Sequence, residues 1–186
     1  SIYDGVQTKA YKPSEFHRQN ANPIGNQTHF IAGDKDGNVF FDSDQSLIRY
    51  DIQTQKFSCL RKSNVYTVAS IKGTIWVGIA DSILTWNPDK NDFDFVTRLE
   101  NRNQRATCLL EDSGGRYWIG TTDGLFRMND DKSLTCMIMG EDIYDLYEDS
   151  KYNLWISIRM NGMYKRDVHG NFTRYRYDPS NPNNIS

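Results

Sequence analysis

Apolar and polar positions alternate along this chain in short runs, and each run ends at small, turn-forming residues. The clearest stretch starts at Arg105–Asp112 (RATCLLED), whose alternation predicts a strand. Ser113-Gly114-Gly115 predicts a tight turn, where glycine tolerates positive φ. Strands follow over Tyr117–Thr121, Leu125–Asn129 and Leu134–Met139, separated by Thr122-Asp123-Gly124 and by a polar turn at Asn129–Lys132. Four strands joined by hairpin turns make one antiparallel unit.

The same phrase returns along the chain. It reads GNVFFDSDQSLIRYD from Gly37, GTIWVGIADSILTWN from Gly73, GRYWIGTTDGLFRMN from Gly115 and YNLWISIRMNGMYKRD from Tyr152. The aromatic anchors Phe40, Trp76, Trp118 and Trp155 stand 36, 42 and 37 residues apart. A period of about 40 residues with several short strands per unit marks a β-propeller blade. The predicted fold is therefore all-β, built from propeller blades of four antiparallel strands.

The other units divide the same way. The first predicts strands at Thr28–Gly33, Asn38–Asp42, Ser46–Asp51 and Phe57–Leu60. The second predicts Val65–Ile71, Thr74–Ile79, Ser82–Asn87 and Phe93–Leu99; the fourth, Ile143–Asp149, Leu154–Ile158, Gly162–Arg166 and Asn171–Tyr177. Ile2–Tyr11 matches the third and fourth strands of a blade. The expected division is thus 1–25 (outer strands of an incomplete blade, with linker), then blades at 26–64, 65–104 and 105–141, then 142–186 as blade and connector. That is about four and a half blades of one propeller, expected to be part of a larger ring. A single blade cannot bury both faces, so the anchors are expected to pack between neighbouring sheets rather than stack on sugars.

Composition changes this picture little. Charged residues are 25%, aromatics 13% and the net charge is −2, so no basic excess exists to neutralise a nucleic-acid backbone. No run approaches the roughly 20 apolar residues of a membrane helix, and the N-terminus lacks a signal-peptide pattern. Cys59 and Cys136 fall at matching places in units two apart, too far for a disulfide, so Cys59, Cys108 and Cys136 are expected to be small buried thiols.

Candidate chemistry is sparse. Asp34-Lys35-Asp36-Gly37-Asn38 looks like the start of a calcium loop, but its twelfth position is Gln45, where a bidentate Glu is required. The matching Asp112 and Asp149 point instead to turns whose Asp accepts backbone N–H bonds. His17, His29 and His169 are far apart, and no CxxC or HxxxH spacing supports zinc. No metal or other cofactor is expected. Catalytic carboxylate pairs are defined by distance in space and stay open.

Propeller geometry locates a ligand site. Loops leading into the inner strands and loops joining strands two and three share one face. Those loops carry Tyr66, Arg105 and Tyr144, with Asp81, Asp123, Arg159 and Asn161. Aromatic faces beside Arg, Asp and Asn suit a sugar, so Tyr66, Arg105, Asp123, Tyr144, Arg159 and Asn161 are the expected ligand-binding set.

Leu109–Arg127 (LLEDSGGRYWIGTTDGLFR) resembles the regulator-propeller repeat of two-component systems, and Tyr147–Arg166 resembles a second copy. Tyr175–Ser186 (YRYDPSNPNNIS) is similar to the connector between such repeats. Unit one departs, with Phe40 for Trp and Asp42 for Gly; unit two has Ile79-Ala80-Asp81 for Thr-x-Asp. The resemblance implies a periplasmic sensor segment of a membrane-anchored hybrid histidine kinase. It implies oligosaccharide or other small ligands, receptor self-association as a dimer and no catalysis by this segment; no direct nucleic-acid contact is expected from the charge balance. An interaction scaffold without a small ligand, and a carbohydrate-active propeller enzyme, are the alternatives.

Overall fold

A computed structural model describes residues 27–43 and 46–176 in full, and the backbone of two short N-terminal strands. These two strands, β1 (Ile2–Tyr3) and β2 (Thr8–Lys9), pair antiparallel with Ile2 opposite Lys9. The rest of the expected N-terminal half-blade, and the expected connector from Asp178 onward, lie outside the described residues.

Sixteen further strands form four antiparallel sheets of four, each ordered as in the chain. Blade one holds β3 (Ile31–Gly33), β4 (Val39–Ser43), β5 (Ser46–Asp51) and β6 (Lys56–Arg61). Blade two holds β7 (Val65–Ile71), β8 (Thr74–Ile79), β9 (Ser82–Asn87) and β10 (Asp92–Arg98). Blade three holds β11 (Ala106–Glu111), β12 (Tyr117–Thr121), β13 (Gly124–Met128) and β14 (Leu134–Met139). Blade four holds β15 (Ile143–Glu148), β16 (Leu154–Ile158), β17 (Met163–Arg166) and β18 (Phe172–Tyr175). Among the described residues no helix is long and apolar enough to cross a membrane.

The core lies between blades, because the period-two alternation of each strand sends neighbouring side chains to opposite faces. On β12, Trp118 joins Leu146, Leu154 and Ile156 of blade four. Ile119, one residue on, joins Ile83 and Leu99 of blade two. Phe40 packs with Val68, Ile75 and Trp86 of blade two. Three of the four anchors meet a group of the following blade. Phe40 lies edge-on to Trp86 at 5.2 Å, Trp76 stacks on Tyr117 at 5.1 Å, and Arg166 lies 5.2 Å over Trp118. Trp155 instead stacks on Tyr175 of its own blade at 5.8 Å.

In blades two and three, close approach of the next blade requires glycine two residues after the anchor, at Gly78 and Gly120. A Cβ on Gly120 would collide with Cys108 Sγ and come within 2.7 Å of Ile143 of blade four. Blade one carries Asp42 at this position. Its buried carboxylate accepts the backbone N–H groups of His29 and Phe30, both at 2.7 Å. Those amides are thereby withdrawn from the ladder, and β3 begins at Ile31 instead of the expected Thr28.

The turns follow the predicted chemistry. Asp34 accepts the N–H groups of Asp36 and Asn38, Asp112 those of Gly114 and Arg116, and Asp149 those of Lys151 and Asn153. The same turns tie blades together. Lys35 N–H donates to Gly73 O at 2.8 Å, and the Ser113 N–H and hydroxyl both donate to Glu148. The three cysteines are free, but Cys136 is exposed, unlike the expectation of buried thiols. It sits on β14, the outermost strand of its blade, where no further strand covers it. Burial pushes the Cys108 thiol up to about 12, which leaves it inert near neutral pH.

Candidate functional site

The inner strands β7, β11 and β15, the residues just before β3 and β11, and loops after the second strands of blades three and four line one groove of about 850 Å³. Its wall includes His29 and Phe30 from blade one, Tyr66 and Thr67 from blade two, Arg105, Thr107 and Thr122 from blade three, and Tyr144, Asp145 and Arg159 from blade four.

Local backbone geometry presents these side chains. The pairing of the first and second strands slips by one residue at Tyr66, at Thr107 and at Tyr144. A bulge at that point bends the strand and re-aims the extra side chain. The same irregularity therefore turns three equivalent residues toward the groove, two of them tyrosines. Tyr144 is 58% exposed and Tyr66 half-buried.

Each tyrosine carries a guanidinium over its ring. Arg105 lies 5.0 Å from the Tyr66 ring centre, crossing from blade three to blade two. Arg159 lies 4.9 Å from that of Tyr144 in its own blade. Both contacts fall within cation–π range. Arg105 Nη1 donates to the carbonyls of Arg102 and Gln104, each at 2.9 Å. Arg159 Nε donates to Asp142 at 3.0 Å. Main-chain bonds tie the loops after the second strands to the residues entering the inner strands, Thr122 N–H to Arg105 O and Arg159 N–H to Asp142 O.

Of the six residues expected from the sequence, the structure brings Tyr66, Arg105, Tyr144 and Arg159 onto one groove. Asp123 lies off its wall and accepts from the buried Gln104, the residue that precedes Arg105. Asn161 is engaged within blade four, donating to Glu141 and accepting from Arg176. Asp81 holds Arg98 at 3.7 Å and the Ser82 hydroxyl. Sequence reasoning missed His29, Thr107, Thr122 and Asp145. Thr107 had a signal, since it aligns with Tyr66 and Tyr144 in the repeat. His29 had none, because its place depends on the buried Asp42 thirteen residues away, which holds its N–H and its Nδ1. Among the described residues, no group of three or more His, Cys, Asp or Glu is placed to hold a metal ion.

Residues 102–123, which include Arg105 and the anchor Trp118, match the family model of the two component regulator propeller. That segment carries a regulator-propeller repeat. No curated protein matches the sequence. Solved structures match its fold. One is the extracellular domain of a hybrid two component system from B. thetaiotaomicron, 19% identical over 90% of this chain and 24% of that one, with a TM-score of 0.74. A second domain of the same kind and organism is 20% identical over 88% of this chain and 23% of that one, with a TM-score of 0.70. Virginiamycin B lyase from Staphylococcus aureus is 16% identical over 83% of this chain and 58% of that one, with a TM-score of 0.65. The chain thus spans about a quarter of the length of the extracellular domains it matches. The propeller is shared by extracellular domains of two component systems and by a lyase, so the fold alone does not assign an activity.

Proposed function

We propose that this chain is a ligand-sensing segment of the extracytoplasmic, periplasmic part of a membrane-anchored two-component sensor, and that its ligand is an oligosaccharide. The observation that carries this reading is the groove, where repeat-equivalent bulges turn Tyr66 and Tyr144 inward beside Arg105 and Arg159. Tyrosine rings offer flat apolar faces to a sugar ring, and guanidinium, threonine and carboxylate groups match its hydroxyls. The likeness to extracellular domains of hybrid two component systems supports the cellular setting. Ligand binding would bias the arrangement of receptor copies and so reach a kinase across the membrane.

Expected in a thermal-shift screen against plant and host oligosaccharides is a concentration-dependent rise for one glycan class, since a ligand of the folded state stabilises it by mass action. Silence across the panel with a sharp melt would remove glycan sensing by this segment.

A second reading, self-association as a scaffold, rests on a different face. On β15 and β16, Tyr147 is 65% exposed beside Trp155.

A further inference from the structure

Arg105 stands out among the cations of the groove. It is half-buried and fixed by two carbonyls and the Tyr66 ring, yet no carboxylate pairs with it among the described residues. The carbonyls occupy Nη1 alone, which leaves the Nε and Nη2 donors for another acceptor. Arg159 adds a second positive charge, shared with Asp142. The carboxylate on the groove wall, Asp145, gives one oxygen to a backbone N–H, and His29 faces the carboxylate of Asp42. The groove lining itself thus carries two guanidinium groups against one carboxylate, in a chain whose net charge is −2.

A guanidinium presents a planar fork of donors that matches a carboxylate or a sulfate in two parallel bonds. Holding it in place before the ligand arrives removes part of the ordering cost of binding. A cation so fixed and without a counter-ion is suited to an acidic group brought by the ligand.

We propose that the groove takes an anionic oligosaccharide, with a uronate carboxylate or a sulfate ester seated on Arg105 and a sugar ring against the tyrosine walls. This rests on the oligosaccharide reading above and narrows it to a charge class. Arg105 is the main seat, and Arg159 contributes less because Asp142 already neutralises part of its charge.

The test is titration calorimetry of the whole chain with four probes of similar length. They are tetragalacturonate, a heparin-derived sulfated tetrasaccharide, neutral cellotetraose and the peptide tetraglutamate. Expected is binding of at least one acidic sugar about tenfold tighter than cellotetraose and tetraglutamate, weakening between about 50 and about 300 mM salt. Which acidic sugar binds distinguishes the carboxylate from the sulfate. Arg105→Gln should erase the preference while the chain keeps a cooperative melt, and Arg105→Lys should keep part of it. Cellotetraose binding as tightly as the acidic sugars, unaffected by Arg105→Gln, would overturn the charge assignment and leave the glycan reading standing. Tetraglutamate binding as well as the acidic sugars would overturn the sugar component and retain the Arg105 seat. No heat from any probe would overturn both.

Discussion

Asp112 gathers four donors onto one carboxylate: the N–H groups of Gly114 and Arg116, the Arg116 guanidinium at 2.6 Å and the Trp118 indole at 2.8 Å. Burial works against its ionisation, but the bonds from Trp118 and Arg116 outweigh burial and hold the carboxyl below the usual range. Asp149 repeats the arrangement with Trp155, Asn153 and Lys151, and is likewise held low. A carboxyl that is more acidic folded than unfolded binds fewer protons in the folded state. Its contribution is then complete above the unfolded value of about 4 and disappears as pH falls through the lower folded value. Asp112→Ala should therefore lower stability by about 3 kcal/mol at pH 7, since buried donors lose their acceptor. In urea unfolding the gap to the unchanged protein should narrow toward about pH 3. An equal gap at both pH values would mean that Asp112 acts through packing and not through its charge. The role of these aspartates was legible in the sequence, because Asp followed by Gly or a polar residue at a hairpin is local chemistry. The indole bonds were not, because nothing in the spacing Asp112 to Trp118 says that the ring folds back over the turn.

Among the elements, the second strand of each blade carries the packing logic. Trp118 on β12 is 1% exposed, roofed by Arg166 and surrounded by Leu146, Leu154 and Ile156 of blade four. Trp155 on β16 occupies the same repeat position but is only half-buried, with Tyr175 and Lys165 of its own sheet beside it. Trp118→Ala should cost about 3–5 kcal/mol, the range for a large buried aromatic, and Trp155→Ala less than half of that. Chemical denaturation of the two variants measures the difference. Equal losses would show that the ring's contacts within its own sheet carry the stability. Strand number, order and turns could be read from alternation within each unit. The unequal burial of identical anchors could not, since it depends on what lies across the face.

For the molecule as a whole, the decisive features are the faces that no single blade owns. The surface of blade four around Tyr147 and Trp155 turns away from the core shared with blade three, since Leu154 and Ile156 of the same strand point into that core. If copies of the chain associate through it, sedimentation should show concentration-dependent dimers, and Tyr147→Lys should shift them to monomers with the fold intact. Unchanged dimers in that variant would move the interface elsewhere. By itself, the sequence determined the blades. Each one is written in a repeat of about 40 residues, through strand alternation, glycine and aspartate turns and an aromatic anchor, all of them short-range terms. The groove was decided only in the tertiary structure. Arg105 reaches Tyr66 across a blade boundary, Asp42 sets His29 in place from another strand, and one-residue bulges turn Tyr66, Thr107 and Tyr144 inward. Those outcomes depend on how neighbouring sheets pack, and packing between sheets is a property of residue pairs that the chain order keeps far apart.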